Sequence, residues 1–123
     1  MAADFAGKTA LITGAGRGIG RAIALGLGGA GVRVILLART EGQLDETRAL
    51  LLEQGVPAQQ VRVVPADLAD EEQRGHAAAT VLTAGRIDIL LHNAGGCTWA
   101  LLLVGIFLSH RLAWPFSRTK LRM

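Results

Sequence analysis

Short apolar runs alternate with longer amphipathic segments along the first ninety residues, and turn or cap residues stand between them. Residues 8–13 (Lys-Thr-Ala-Leu-Ile-Thr) end in glycines and predict a strand buried on both faces. Residues 18–29 place Ile19, Ala22, Ile23, Leu25 and Leu27 in a helical segment that ends in a glycine cluster. Residues 32–38 (Val-Arg-Val-Ile-Leu-Leu-Ala) predict a second strand. Thr40-Glu41-Gly42-Gln43 has the form of a capping box, opening a helix that runs to about residue 54 with Leu44, Leu50, Leu51 and Leu52 as its apolar face.

A third strand, rich in β-branched residues, is predicted over 61–66. Asp70-Glu71-Glu72-Gln73 then opens a helix reaching about residue 84, its first-turn acids matched to the helix dipole and Asp70 with Gln73 resembling a second cap. Residues 87–91 (Ile-Asp-Ile-Leu-Leu) predict a fourth strand. Strands alternating with helices of this length predict βαβ units and an α/β fold with a parallel sheet. Right-handed crossovers and a glycine loop after the first strand favour the spatial order 3-2-1-4.

Beyond Gly95-Gly96 the pattern changes, which divides the chain into an expected nucleotide-binding unit over 1–96 and an atypical tail over 97–123. Residues 99–108 are uncharged and apolar all round, and 109–123 are polar, basic and interrupted by Pro115. Charge follows the same division. Up to Asp88, nine basic residues oppose all ten acids, whereas Arg111, Arg118, Lys120 and Arg122 follow with no acid. The basic balance belongs to the tail, which argues against a nucleic-acid partner for the main unit. The single Cys97 allows no internal disulfide and reads as an incidental small hydrophobe. An acid at position 4 and the short apolar run after it do not fit a signal peptide, and ten apolar residues are too few to span a bilayer, so a cytoplasmic protein without membrane attachment is expected.

The candidate chemistry begins at Thr13-Gly14-Ala15-Gly16-Arg17-Gly18-Ile19-Gly20. A pyrophosphate needs backbone N–H groups aimed at it with no side chain in the way, and glycines between a strand and a helix N-terminus supply both. No Gly-Lys-Ser/Thr follows, which excludes a nucleoside-triphosphate P-loop. Together with Asp67-Leu68 after the third strand and Asn93-Ala94-Gly95 after the fourth, this loop resembles the short-chain dehydrogenases/reductases over about residues 5–95. Within them, Leu36-Leu37-Ala38-Arg39-Thr40-Glu41 is most similar to the 3-oxoacyl-(acyl-carrier-protein) reductases. The resemblance implies a Rossmann-like sheet and NAD(P)-dependent carbonyl reduction or alcohol oxidation. It assigns a nicotinamide dinucleotide to Gly14, Gly16, Arg17, Gly18, Ile19, Gly20, Arg39, Asp67, Leu68, Asn93, Ala94 and Gly95. Asp67 would accept from the adenine amino group, with Leu68 beside the ring; Asn93 would help hold the sheet and line the cofactor channel.

An NAD site places a carboxylate at the end of the second strand to accept from the ribose 2′-OH. Here Ala38 stands there, followed by Arg39, whose guanidinium can grip a 2′-phosphate, with Arg17 a second cation in the loop; NADP(H) is therefore favoured over NAD(H). Glu41 lies past the strand end, in the expected helix cap. His92 reads as structural.

The family's chemistry requires a tyrosine as acid/base and a lysine four residues later. This sequence contains no tyrosine, and the residue four before Lys120 is Phe116. No catalytic residue or metal ligand is therefore assigned. The fourth strand expects a further neighbour in the family, and the seven residues 92–98 are too few for a parallel crossover, leaving an antiparallel hairpin or a covering helix for 99–108. The abrupt change after Gly96 reads as a replacement of the family's C-terminal half, so the chain is expected to be truncated relative to it. Three readings stay open: the cofactor half of a reductase, a non-catalytic dinucleotide-binding fragment, and an interaction protein acting through its tail or self-associating through an exposed fourth strand.

Overall fold

A computed structural model describes residues 5–93. Strand β1 (Thr9–Thr13) leads to helix α1 (Gly18–Gly29), strand β2 (Arg33–Ala38) to helix α2 (Glu41–Glu53), and strand β3 (Val61–Pro65) to helix α3 (Glu71–Leu82), before strand β4 (Ile89–Leu91). A short 3-10 turn, Ala58–Gln60, precedes β3. The strands form one parallel sheet in the order β3-β2-β1-β4. The alternation of elements thus becomes the Rossmann-like α/β architecture that the sequence predicts. Strand β4 is shorter than expected, beginning at Ile89, and α3 ends two residues earlier, at Leu82. The expected tail over 97–123 and its fifth-strand alternatives lie outside the described residues.

The register explains how so small a sheet makes two cores. Ala10 and Ile12 of β1 and Val34 and Leu36 of β2 point to one face, where Ala24, Leu44 and Leu51 join them from α1 and α2. Leu11, Ile35 and Leu37 point to the other, where they meet Ala77, Ala78 and Val81 of α3. Every residue of β1 is buried, as a central strand covered on both faces requires. Burying a leucine completely contributes roughly 1.5–3 kcal/mol, so these strand positions hold much of the fold.

Two helical faces differ from the sequence reading. In α1 the buried residues are Gly20, Ala24 and Gly28, a stripe of small residues four apart, while Ile19 stands 70% exposed. A Cβ at Gly28 would lie 2.4 Å from Leu51 Cδ2, so the missing side chain is what lets α1 approach α2. In α2 the buried residues are Leu44, Thr47 and Leu51; Leu52 is exposed and Leu50 only half-buried. Geometry selects the face here: positions i, i+3 and i+7 turn inward even when one of them is a threonine.

The two expected helix caps also diverge. Asp70 caps α3 as predicted, its side chain accepting from the Glu72 and Gln73 N–H groups at 2.9 and 3.3 Å, with Gln73 Nε2 reaching back to Asp70 Oδ2 at 3.3 Å. Thr40 has the extended backbone of an N-cap, but its hydroxyl makes no cap bond to α2. The capping box expected over 40–43 does not form; Gln43 instead packs beside Gly16, where an added Cβ would meet its side chain at 3.0 Å.

Candidate cofactor site

The C-terminal ends of β1, β2, β3 and β4 open onto one cleft of about 670 Å³, within the size range of small-molecule and cofactor sites. The parallel sheet dictates this, because every strand delivers its following loop to the same edge, at the crevice where the strand order reverses. Gly14, Gly16, Arg17, Gly18 and Ile19 form one wall, and Leu37, Ala38, Arg39, Thr40 and Gln43 form the next. Ala66, Asp67, Leu68 and Ala69 follow β3, and Asn93 closes the far side. Of the twelve residues expected at a dinucleotide, nine therefore line one cavity. Gly20 sits behind it, and Ala94 and Gly95 lie outside the described residues.

The phosphate loop is built by backbone conformation. Gly14 and Gly18 hold φ of 65° and 58°, a region that side chains disfavour. Gly20 is required for a different reason: a Cβ there would stand 2.1 Å from the Gly14 carbonyl oxygen and 2.9 Å from Asn93 Nδ2. The first turn of α1 thus packs directly against the end of β1. Arg17 occupies the N-cap of α1 in extended conformation, and no side chain caps the helix. First-turn N–H groups lack helical acceptors by geometry, which suits them to an anionic ligand.

Around the rest of the rim, loops are braced from below. Asp67 Oδ1 accepts from the Ala69 N–H at 3.0 Å, while the Asp67 N–H donates to Gln73 Oε1 at 2.8 Å. Arg74 donates to the Leu68 carbonyl at 2.7 Å. One end of α3 therefore fixes the corner carrying Asp67, and Asp67 Oδ2 accepts no hydrogen bond among the described residues. Leu68 is buried, at 7% exposure, so its side chain lies on the second core as well as along the cleft. Arg17 and Arg39 are both exposed at the cleft, and Arg39 directly follows Ala38, the last residue of β2.

At the far side, the Asn93 N–H donates to Thr13 Oγ1 at 3.0 Å and its side-chain amide donates to the Gly14 carbonyl at 3.4 Å. Asn93 thereby ties β4 to the start of the phosphate loop. His92 Nδ1 lies 3.2 Å from Thr13 Oγ1 in the same corner, and desolvation lowers its pKa from the ordinary 6.5. Sequence reasoning missed Arg21 and Thr47, which hold the back of the loop: Arg21 Nε donates to Thr47 Oγ1 at 3.0 Å, and Thr47 donates to the Ala15 carbonyl at 2.9 Å. The one signal for them was a threonine at the inward position between Leu44 and Leu51.

The glycine cradle, the uncapped helix N-terminus and the two cations fit a dinucleotide phosphate ester by shape and charge. Residues 8–104 match the short chain dehydrogenase family, and the chain belongs to it. L-rhamnose 1-dehydrogenase (NADP(+)) of Thermoplasma acidophilum is 41% identical over 95 residues, which cover 76% of this chain and 37% of that protein. The rhamnolipid-biosynthesis 3-oxoacyl-[acyl-carrier-protein] reductase of Pseudomonas aeruginosa is 41% identical over 93 residues, 75% of this chain and 35% of the relative. Among solved structures, an NAD+-bound xylitol dehydrogenase superposes with a TM-score of 0.67 at 36% identity, covering 75% of this chain and 35% of that one. The chain thus spans little more than a third of the length of these relatives. Among the described residues, no helix is long and apolar enough to cross a membrane and no group of three or more His, Cys, Asp or Glu is placed to hold a metal ion.

Proposed function

We propose that the cleft binds NADP(H) in preference to NAD(H), as the cofactor site of a short-chain carbonyl reductase or alcohol dehydrogenase. The observation that carries this is the wall after β2, where Ala38 stands in place of a carboxylate and Arg39 and Arg17 face one cavity. A carboxylate there would accept from a ribose 2′-OH and repel a 2′-phosphate. An arginine pair instead offers several N–H donors in fixed planes, suited to the phosphate. The name of the Thermoplasma relative, which specifies NADP(+), supports the reading, whereas the xylitol dehydrogenase was solved with NAD+. The backbone N–H groups of the glycine loop would hold the pyrophosphate, and Asp67 and Leu68 the adenine. The bound dinucleotide supplies or accepts the hydride; these residues bind and orient it.

A 3-oxoacyl substrate is the narrower proposal, supported by the Pseudomonas relative's name and by the segment 36–41. A second reading, of a module that holds the dinucleotide without acting on a substrate, is favoured by one observation: the 123 residues contain no tyrosine to serve as the family's proton donor. Binding of NADPH and NADH to the chain and to Arg39→Asp tests the cofactor assignment. The unaltered chain should prefer NADPH, and the variant should lose at least about tenfold of that preference, on the scale of one charge-assisted contact. An unchanged ratio would sink it. Turnover of NADPH with a simple ketone separates the two readings.

A further inference from the structure

Behind the phosphate loop, on the side away from the cleft, two polar side chains from different helices converge on the loop's carbonyls. Thr47 is fully buried in the α1–α2 seam. Its Oγ1 lies 2.9 Å from the Ala15 carbonyl oxygen, and also within 3.2 Å of the Gln43 carbonyl in its own helix. Arg21, on the first turn of α1, donates through Nε to Thr47 Oγ1 and through one terminal nitrogen to the Gly16 and Gln43 carbonyls. The same nitrogen pairs with Glu46 at 3.1 Å. A buried hydroxyl and a guanidinium are costly to place in an apolar seam unless their partners are in place. Here the partners are the outward carbonyls of the loop.

The consequence follows from peptide geometry. In a planar trans peptide the C=O and N–H point in opposite directions, and no cis peptide occurs among the described residues. Fixing the Ala15 carbonyl on Thr47 sets the Gly16 N–H, and fixing the Gly16 carbonyl on Arg21 sets the Arg17 N–H, each on the opposite side. We propose that Arg21 and Thr47 are positioning residues that lock the 15–16 and 16–17 peptide planes so that the Gly16 and Arg17 N–H groups are aimed at the dinucleotide's pyrophosphate. The proposal rests on the cofactor reading of the cleft. Because Arg21 also donates to the Gln43 carbonyl, and the Thr47 hydroxyl that bonds Ala15 is itself carried by α2, the latch joins the loop to the α2 end that forms the 2′-phosphate wall, holding the two subsites at a fixed separation.

The test measures NADPH affinity and thermal midpoint for Thr47→Val, Thr47→Ser, Arg21→Lys and a control, Leu51→Ala, which weakens the same seam without touching the loop. Thr47→Val keeps the shape and loses the hydroxyl. It should weaken NADPH binding by the folded protein roughly tenfold, the scale of one hydrogen bond to a charged group. Amide hydrogen exchange at Gly16 and Arg17 should quicken in parallel. Thr47→Ser should restore both, and Leu51→Ala should lower the midpoint while leaving the affinity of the folded fraction within about twofold, as a site with unchanged contacts requires. If Thr47→Val fails to fold, Arg21→Lys, which keeps the charge but cannot span Thr47 and Gly16 together, carries the same expectation. Equal losses in Leu51→Ala and Thr47→Val, or unchanged affinity in both latch variants alongside NADPH binding by the unaltered chain, would overturn the latch alone. No NADPH binding by the unaltered chain would overturn the cofactor reading and the latch together.

Discussion

The two faces of the sheet solve the same problem with different means. On one, α1 and α2 press small and branched residues onto Ala10, Ile12, Val34 and Leu36, and even the edge strand β4 contributes Ile89 and Leu91 to the cluster. On the other, α3 is the one helix among the described residues that covers Leu11, Ile35 and Leu37, joined by Ala66 and Leu68, and Leu90, paired with Leu11 in the register, remains 36% exposed. The two-helix face also carries the glycine seam and the Thr47–Arg21 latch, so the phosphate loop is attached to the more heavily packed side. The densest packing thereby lies where backbone N–H groups must be aimed, while β4 is held by pairing with β1 and by Ile89 and Leu91, and Asn93 by polar contacts to Thr13 and Gly14.

The sharpest test of this asymmetry is a pair of leucine truncations. Leu51→Ala removes a side chain that is fully buried against Gly28, and should destabilise the chain by about 2–5 kcal/mol, the range for leucine cavities. Leu90→Ala, on the opposite face, should cost under about 1 kcal/mol, because much of its surface already meets solvent. Chemical denaturation of both variants reads the difference. Comparable losses would mean that the α3 face is as tightly built as its counterpart.

How far the sequence spoke for itself depended on the range of the interaction. The strands, the loop Gly14–Gly20 and the order of elements were legible because apolar runs and glycine placement act within a few residues of themselves. The inward faces of α1 and α2 were read less well. Ile19 and Leu52 look like core residues by type but stand exposed, because α1 meets the end of β1 at Gly20 and α2 at Gly28, and α2 turns Thr47 inward, where small size and a hydroxyl matter more than hydrophobicity. The Arg21–Thr47 and Thr47–Ala15 contacts of the latch join residues 26 and 32 positions apart, and only the packing of α1 on α2 brings them together. Nothing local announces it. Asp67 was legible as a loop residue, yet its bond to Gln73, and that of Leu68 to Arg74, depends on how the turn between β3 and α3 folds back onto the first turn of the helix.

A smaller effect separates the helices by the way they start. Helix α3 is the one helix on its face among the described residues and has a bonded cap, so Asp70→Ala should cost about 1 kcal/mol. Thr40→Ala at the start of α2 should cost no more than about 0.3 kcal/mol, since no cap bond is lost and the seam with α1 holds the helix in place. Thermal midpoints of the two variants check this. A larger loss at Thr40 would show that α2 depends on its own N-terminus despite its more extensive packing.

The smallest effect concerns the corner where β4 meets the loop. Desolvation lowers the pKa of His92, so between that value and the ordinary 6.5 the unfolded chain binds a proton that the folded chain excludes. The sign follows: the contribution of the neutral ring is present above pH 6.5 and is lost as pH falls through the lowered folded-state value. The ring is exposed to solvent, which keeps the effect slight. Denaturation midpoints measured downward from pH 7 should therefore fall a little more steeply for the unaltered chain than for His92→Asn, which retains a polar side chain without the titration. If the two slopes coincide, the β4 corner is held by the Asn93 bonds and strand pairing alone, and the contrast between the faces becomes one of apolar packing only.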